Sequence, residues 1–158
     1  MKQRMDYMTA SPGAFQAMLK LETFTRNCGL EAPLRELVKL RASIINGCAF
    51  CVDMHWKDAR AAGETEQRLY GVATLQEVPY FTERERAALA WTEAVTLVAQ
   101  THVPDEVYEE AKAHFTDQEL VNLSLAVAQI NVWNRLAIAF RAVPGTYQPN
   151  VQQLKKSA

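Results

Sequence analysis

Charge of one sign is what this sequence has least of. Lys and Arg number 17 against 18 Asp and Glu, for a formal net charge of −1. No basic field is left over to attract nucleic acid or an anionic membrane surface, so neither is expected as a partner. The short basic step at Lys155 and Lys156 belongs to a polar tail rather than to a binding patch. The first eight residues lack an apolar run, being interrupted by Lys2, Arg4 and Asp6, so no secretory signal is expected there. Strand-like alternation is missing too, as are fixed-period repeats, low-complexity tracts and linkers long enough to divide domains. Cysteine is scarce: there are three, and an odd number cannot all pair within the chain. Two of them, Cys48 and Cys51, form a C-x-x-C. In a reducing compartment that spacing is catalytic or metal-binding more often than a structural staple, and a cytoplasmic location is expected.

What the sequence does contain is legible helix punctuation. A length of 158 residues suits one domain with one sizeable core. Ser11 and Pro12 read as an N-cap with proline in the first turn, and Gly29 falls just past the end of that helix. Pro33 opens a segment to Asn46 whose Leu34, Leu37, Val38, Leu40 and Ile44 make one apolar face. After the interruption at Asn46 and Gly47, a helix should start near Cys48 and stop at Gly63. A short helix is expected over about residues 65–73. Thr82 with Glu85 forms a capping box for a long helix to about Gln100, and Pro104 opens another that ends near His114. Thr116 with Glu119 forms a second capping box, opening a last helix that ends before Pro144 and Gly145. The expected fold is therefore all-α, a single-domain bundle of about seven helices over 1–158, with 1–10 and 146–158 as tails.

The most apolar stretch, from Leu120 to Phe140, is long enough to raise the question of a membrane span. Asn122, Ser124, Gln129, Asn131, Asn134 and Arg135 interrupt it, and such groups are costly in lipid. A buried core helix is the better reading. Arg135 within it needs either a partner, which a carboxylate across a subunit boundary would supply, or an exposed position, and the length of the helix itself suggests association.

The chemistry concentrates around Cys48, Cys51 and His55. On a helix these positions fall within an arc of roughly 60°, so two thiols and an imidazole are presented together. A helix starting after Gly47 puts both cysteines in its first turn, where free N–H groups and the positive dipole end favour a thiolate. A helix start and a nearby histidine both lower a cysteine pKa. The thiolate is the nucleophile toward a peroxide or a disulfide, and a second thiol three residues away can resolve a sulfenic acid. Glu36 opens the preceding helix. If it reaches His55, the carboxylate would orient the imidazole as part of a proton relay.

Glu36 followed by Cys48-x-x-Cys51-x-x-x-His55 resembles the AhpD-like alkylhydroperoxidases of the carboxymuconolactone decarboxylase superfamily. The segment from Trp56 to Gly63 and the run from Ile130 to Arg135 are similar as well, so the resemblance spans about residues 12–140. It implies an AhpD-like helical fold and a thiol-dependent peroxidase acting on hydrogen peroxide or organic hydroperoxides. By the same resemblance Cys51 is the peroxidatic thiol, and Cys48 forms the disulfide and exchanges with a dithiol reductant, protein-borne or lipoyl-type. His55 is the base, with Glu36 behind it. No cofactor or metal is implied, and homo-oligomers, trimers or hexamers, are. The best-studied members carry a histidine between the two cysteines where this chain has Phe50. The superfamily's lactone decarboxylases generally lack the cysteine pair, which argues against that activity here.

Other readings of the same residues stand beside this one. The pair could serve a disulfide reductase or redox sensor, or survive in a non-enzymatic helical assembly protein. Zinc would need a further ligand, with Cys28, His102 and His114 as the candidates. By type Cys28 reads as a small buried residue, and His102 and His114 as caps near helix C-termini. Trp133 reads first as core.

Overall fold

The computed structural model describes residues 2–150, and every described element is helical. In chain order these are α1 (Tyr7–Ala10), α2 (Pro12–Arg26), α3 (Ala32–Ile45), α4 (Ala49–Ala61) and α5 (Glu66–Gly71). A 3₁₀ turn (Val72–Thr74) follows, then α6 (Glu83–Thr96), α7 (Val98–Thr101), α8 (Asp105–His114) and α9 (Asp117–Phe140). Of these, α1 and α7 are single turns of four residues, which is why seven helices were legible from periodicity.

The caps explain the boundaries. Thr82 and Thr116 each accept from the backbone of the glutamate three residues on, and Glu85 and Glu119 reach back in turn. Both capping boxes are complete. Ser11 stands before Pro12, but its side chain makes no capping bond. The third helix begins one residue ahead of Pro33, with Glu31 outside it. At the end of α4, Gly63 takes φ +103, and its N–H and that of Glu64 close on the Arg60 and Ala59 carbonyls.

One long helix expected from Thr82 to about Gln100 is instead two. The chain leaves helical geometry at Leu97, and Thr101 Oγ1 donates to the Ala94 carbonyl at 2.8 Å. A side-chain hydroxyl there takes an acceptor that helix continuation would have used.

At the centre of the bundle is α3, packed against α4, α6 and α9. Leu34 and Val38 join Ala88, Trp91, Phe115 and Val127 in one cluster, while Leu37 and Leu40 meet Leu69, Val72 and Leu89 in another. Burial on both sides means that a charge on α3 calls for a partner, and Arg41 has two. Arg41 donates to Glu93 at 2.6 Å and to the Val72 carbonyl at 2.8 Å.

The last helix, α9, is long and apolar enough to cross a membrane by length and composition alone. Leu120, Leu123, Val127, Ile130 and Ala137 are nevertheless buried against the bundle. Its polar residues are satisfied inside the protein: Asn131 donates to Thr96 and Asn134 to Ser43, each at 3.1 Å. Arg135 bonds to Asn131 of its own helix rather than to a carboxylate. An opposite stripe of Val121, Leu125 and Val132 remains exposed, as does Ile138 near the end of the helix.

The segments expected as tails are tied to the bundle at several points. Arg4 donates to the Phe140 carbonyl at 2.9 Å, and Asp6 caps α1. After α9 the chain turns back over α4: Gly145 N–H donates to Asp53 at 3.0 Å, and Lys57 Nζ to the Tyr147 carbonyl at 3.1 Å. The rest of the second tail, 151–158 with Lys155 and Lys156, lies outside the described residues.

Candidate active site

The turn between α3 and α4 sets the position of the thiols. Gly47 takes φ +67, a left-handed conformation that glycine adopts without steric cost, and Cys48 follows as the N-cap of α4. The backbone N–H of Cys51 donates to Cys48 Sγ at 3.4 Å. Cys48 and Cys51 are joined as a disulfide with Cα atoms 5.3 Å apart. Both are buried, at 1% and 2% exposure, against Ala137, Phe50 and Ala142.

One turn further along α4, His55 is buried. Its Nδ1 lies 2.9 Å from Glu36 Oε2, so the carboxylate on α3 does reach the imidazole on α4. The other nitrogen, Nε2, has no hydrogen-bond partner although it is fully enclosed. A buried unpaired ring nitrogen is costly unless something is to occupy its place.

Behind Glu36 lies a polar chain that sequence reasoning missed. Lys39 Nζ donates to Glu36 Oε1 at 3.5 Å and to Glu22 of α2 at 2.8 Å. Glu22 also accepts from Gln129 of α9 at 2.7 Å, and Gln129 accepts from Thr25 at 2.8 Å. Burial pushes the Glu36 carboxyl up, but the charges and hydrogen bonds of Lys39 and His55 outweigh it and hold the group well below the usual carboxylate range. Lys39 loses from burial and gains more from its two glutamates, so its ammonium is stabilised. The glutamate is therefore held ionised, and an ionised Glu36 favours the His55 tautomer with the proton on Nδ1 and a lone pair on Nε2.

Asp58 sits one turn after His55 and accepts from Tyr147 Oη at 2.7 Å. Burial raises the Asp58 carboxyl, partly offset by the Tyr147 bond. Burial and the Asp58 contact also raise the Tyr147 phenol, keeping it protonated. One atom from each of Glu36, His55 and Asp58 lies within 4.8 Å of the others, the one such grouping of potential metal ligands among the described residues. Cys28, His102 and His114 do not join a metal cluster there. Cys28 is a half-buried free thiol, His102 caps α7, and His114 ends α8 facing Glu110.

These groups open on a cavity of about 620 Å³. Cys51, His55, Glu36, Asp58 and Tyr147 line it, with Phe50, Met54, Ile130 and Trp133 supplying apolar wall. Cys48 is not part of that wall, so of the two cysteines only Cys51 lines the cavity. Trp133 therefore serves the site as well as the packing, meeting Phe15 edge-on at 6.0 Å.

A helical bundle carrying a cysteine pair at a helix start, backed by a histidine and a glutamate, defines a recognisable class. The chain belongs to the carboxymuconolactone decarboxylase family, whose model matches residues 12–94, and within that superfamily it is an AhpD-like protein. It is 42% identical to YdfG of Bacillus subtilis, an uncharacterized protein, over 88% of this chain and 95% of YdfG. The crystal structure of ATU0492 from Agrobacterium tumefaciens, a protein of unknown function, superposes with a TM-score of 0.90 at 47% identity. That match covers 92% of this chain and 100% of ATU0492. An AhpD-core, peroxidase-related protein from Ralstonia eutropha shares the fold, with a TM-score of 0.78 at 22% identity over 88% of this chain and 74% of that one.

Proposed function

We propose that the protein is a thiol-dependent peroxidase that reduces hydrogen peroxide or organic hydroperoxides through Cys51 and Cys48. The observation that carries this reading is the Cys48–Cys51 disulfide one helical turn from an imidazole whose Nδ1 is held by Glu36 and whose Nε2 has no partner among the described residues. In the reduced protein His55 takes the Cys51 proton, leaving a thiolate at the start of α4. The thiolate sulfur attacks the outer peroxide oxygen, the O–O bond breaks, and Cys51 becomes a sulfenic acid. The departing alkoxide or hydroxide takes the proton from His55. Cys48 then attacks the Cys51 sulfur, forming the disulfide and releasing water. A dithiol reductant, protein-borne or lipoyl-type, supplies the two electrons and two protons that regenerate the thiols. No cofactor is required by these steps.

Access through the cavity favours a small peroxide as the oxidant, whereas exchange with any folded protein, reductant included, needs the wall to open. A cytoplasmic setting, where dithiols are kept reduced, belongs to the same proposal. So does assembly into trimers or hexamers, with the exposed apolar stripe of α9 as the surface to be covered.

The test is reductant-dependent peroxide consumption with several dithiol donors, alongside exchange with model disulfides. Turnover of peroxide that is lost in Cys51→Ser is expected. Unchanged turnover in that variant, or exchange without peroxide turnover, would overturn the proposal.

A further inference from the structure

Arg35 is the one cationic group lining the cavity that has no carboxylate partner among the described residues. The residue is buried at 7% exposure, and its Nη1 donates to the Leu30 carbonyl. Among the described residues no carboxylate lies within ion-pairing distance of it. Lys39, one turn along α3, is a like charge that opposes it. The other charged groups on the wall are paired: Glu22, Lys39, Glu36 and His55 through the chain described above, Asp58 with Tyr147, and Glu64 with Arg68 at 3.0 Å. Arg26 makes only a long 3.9 Å contact to Glu22, with its side chain 38% exposed. A buried guanidinium without an anion is expensive, and proteins retain such groups where a bound anion completes them.

Its place in the fold says how that anion relates to the thiol. The short connection at Asn46–Cys48 and the Glu36–His55 contact make α3 and α4 an antiparallel hairpin. Arg35, in the first turn of α3, and Arg26, the last residue of α2, therefore lie at the end of the bundle away from Cys51. The cavity spans that distance, since it is lined by Cys51 near the start of α4 and by Gly63 beyond its end. That is a helix rise of about 18 Å. Between the two ends Met54, Ile130 and Trp133 supply an apolar strip of wall, beside the Glu36, His55 and Asp58 groups that are already engaged with His55, Lys39 and Tyr147.

The geometry points to a carboxylate-bearing, chain-like organic ligand, its carboxylate held by Arg35 with Arg26 beside it and its apolar body running toward Cys51. For the reacting end, this inference rests on the peroxidase reading: the substrate class becomes organic hydroperoxides with a distal carboxylate.

The test is calorimetric titration of the oxidised protein, which does not turn over, with octanoate, 1-octanol and octylammonium. Octanoate is expected to bind at least about tenfold more tightly than 1-octanol, and octylammonium more weakly than either. Arg35→Gln should erase the preference while leaving 1-octanol binding unchanged, and Arg35→Lys should retain part of it. Equal affinity for octanoate and 1-octanol in the wild type, or no binding of either, would overturn the inference. An undiminished preference in Arg35→Gln would do the same. If Arg35→Gln does not fold, the wild-type comparison still decides. A protein that selects octanoate but consumes no hydroperoxide would overturn the peroxidase reading alone.

Discussion

Glu36 Oε2 lies 2.9 Å from His55 Nδ1, joining α3 to α4 one helical turn from Cys51. That contact makes a kinetic prediction. His55→Ala should slow oxidation of Cys51 by a hydroperoxide roughly 100-fold or more, within the range a positioned general base supplies. Glu36→Gln keeps the ring but loses the charge that fixes its tautomer, so a smaller loss of about tenfold is expected. Stopped-flow oxidation of the reduced variants checks both.

The same carboxylate makes stability depend on pH. Its folded pKa is depressed below its ordinary value of 4.5, so its contribution is fully present above that value. The contribution is lost as pH falls from there through the folded value, because the native state must then take up a proton it binds poorly. Thermal melts of wild type and Glu36→Gln should converge as pH drops from about 5 to 3. Parallel pH profiles would show that Glu36 is not held ionised.

A third prediction concerns the turn that sets Cys48. A Cβ at Gly47 would meet nothing within 4 Å, so the cost of Gly47→Ala is conformational, that of a left-handed residue at φ +67. Loss of about 1 kcal/mol is expected, a fall in melting temperature of roughly 2–4 °C for a chain of this size.

The exposed stripe on α9 predicts association. Replacing Val121, Leu125 and Val132 by glutamate should leave helix content intact and give a monomer by light scattering, with wild type a larger assembly. A monomeric wild type would remove that part of the proposed function.

How much of this was legible in the sequence depends on what each feature needs. Caps are local, so Thr82 with Glu85 and Thr116 with Glu119 marked their helices correctly. The shared face of Cys48, Cys51 and His55 is also local, since it follows from helical spacing. Glu36 could be named, but its meeting with His55 depends on how α3 packs on α4, and no spacing encodes that. Lys39 left a faint trace, a charge among Leu37, Val38 and Leu40. Asp58 left another, at one turn from His55. Tyr147 left none, because it comes from a segment that reads as tail and reaches Asp58 only once the chain has folded back over α4. The break at Leu97 was hidden for a similar reason, being marked by a Thr101 side chain that bonds to Ala94.

The most direct test of the central claim is a single turnover of fully reduced protein with one equivalent of cumene hydroperoxide, read by mass spectrometry with a sulfenic-acid trap. Wild type should form the Cys48–Cys51 disulfide stoichiometrically, Cys48→Ser should accumulate trapped sulfenic acid on Cys51, and Cys51→Ser should leave the hydroperoxide intact. Hydroperoxide reduction in Cys51→Ser at the wild-type rate, or oxidation that falls first on Cys28, would contradict the account.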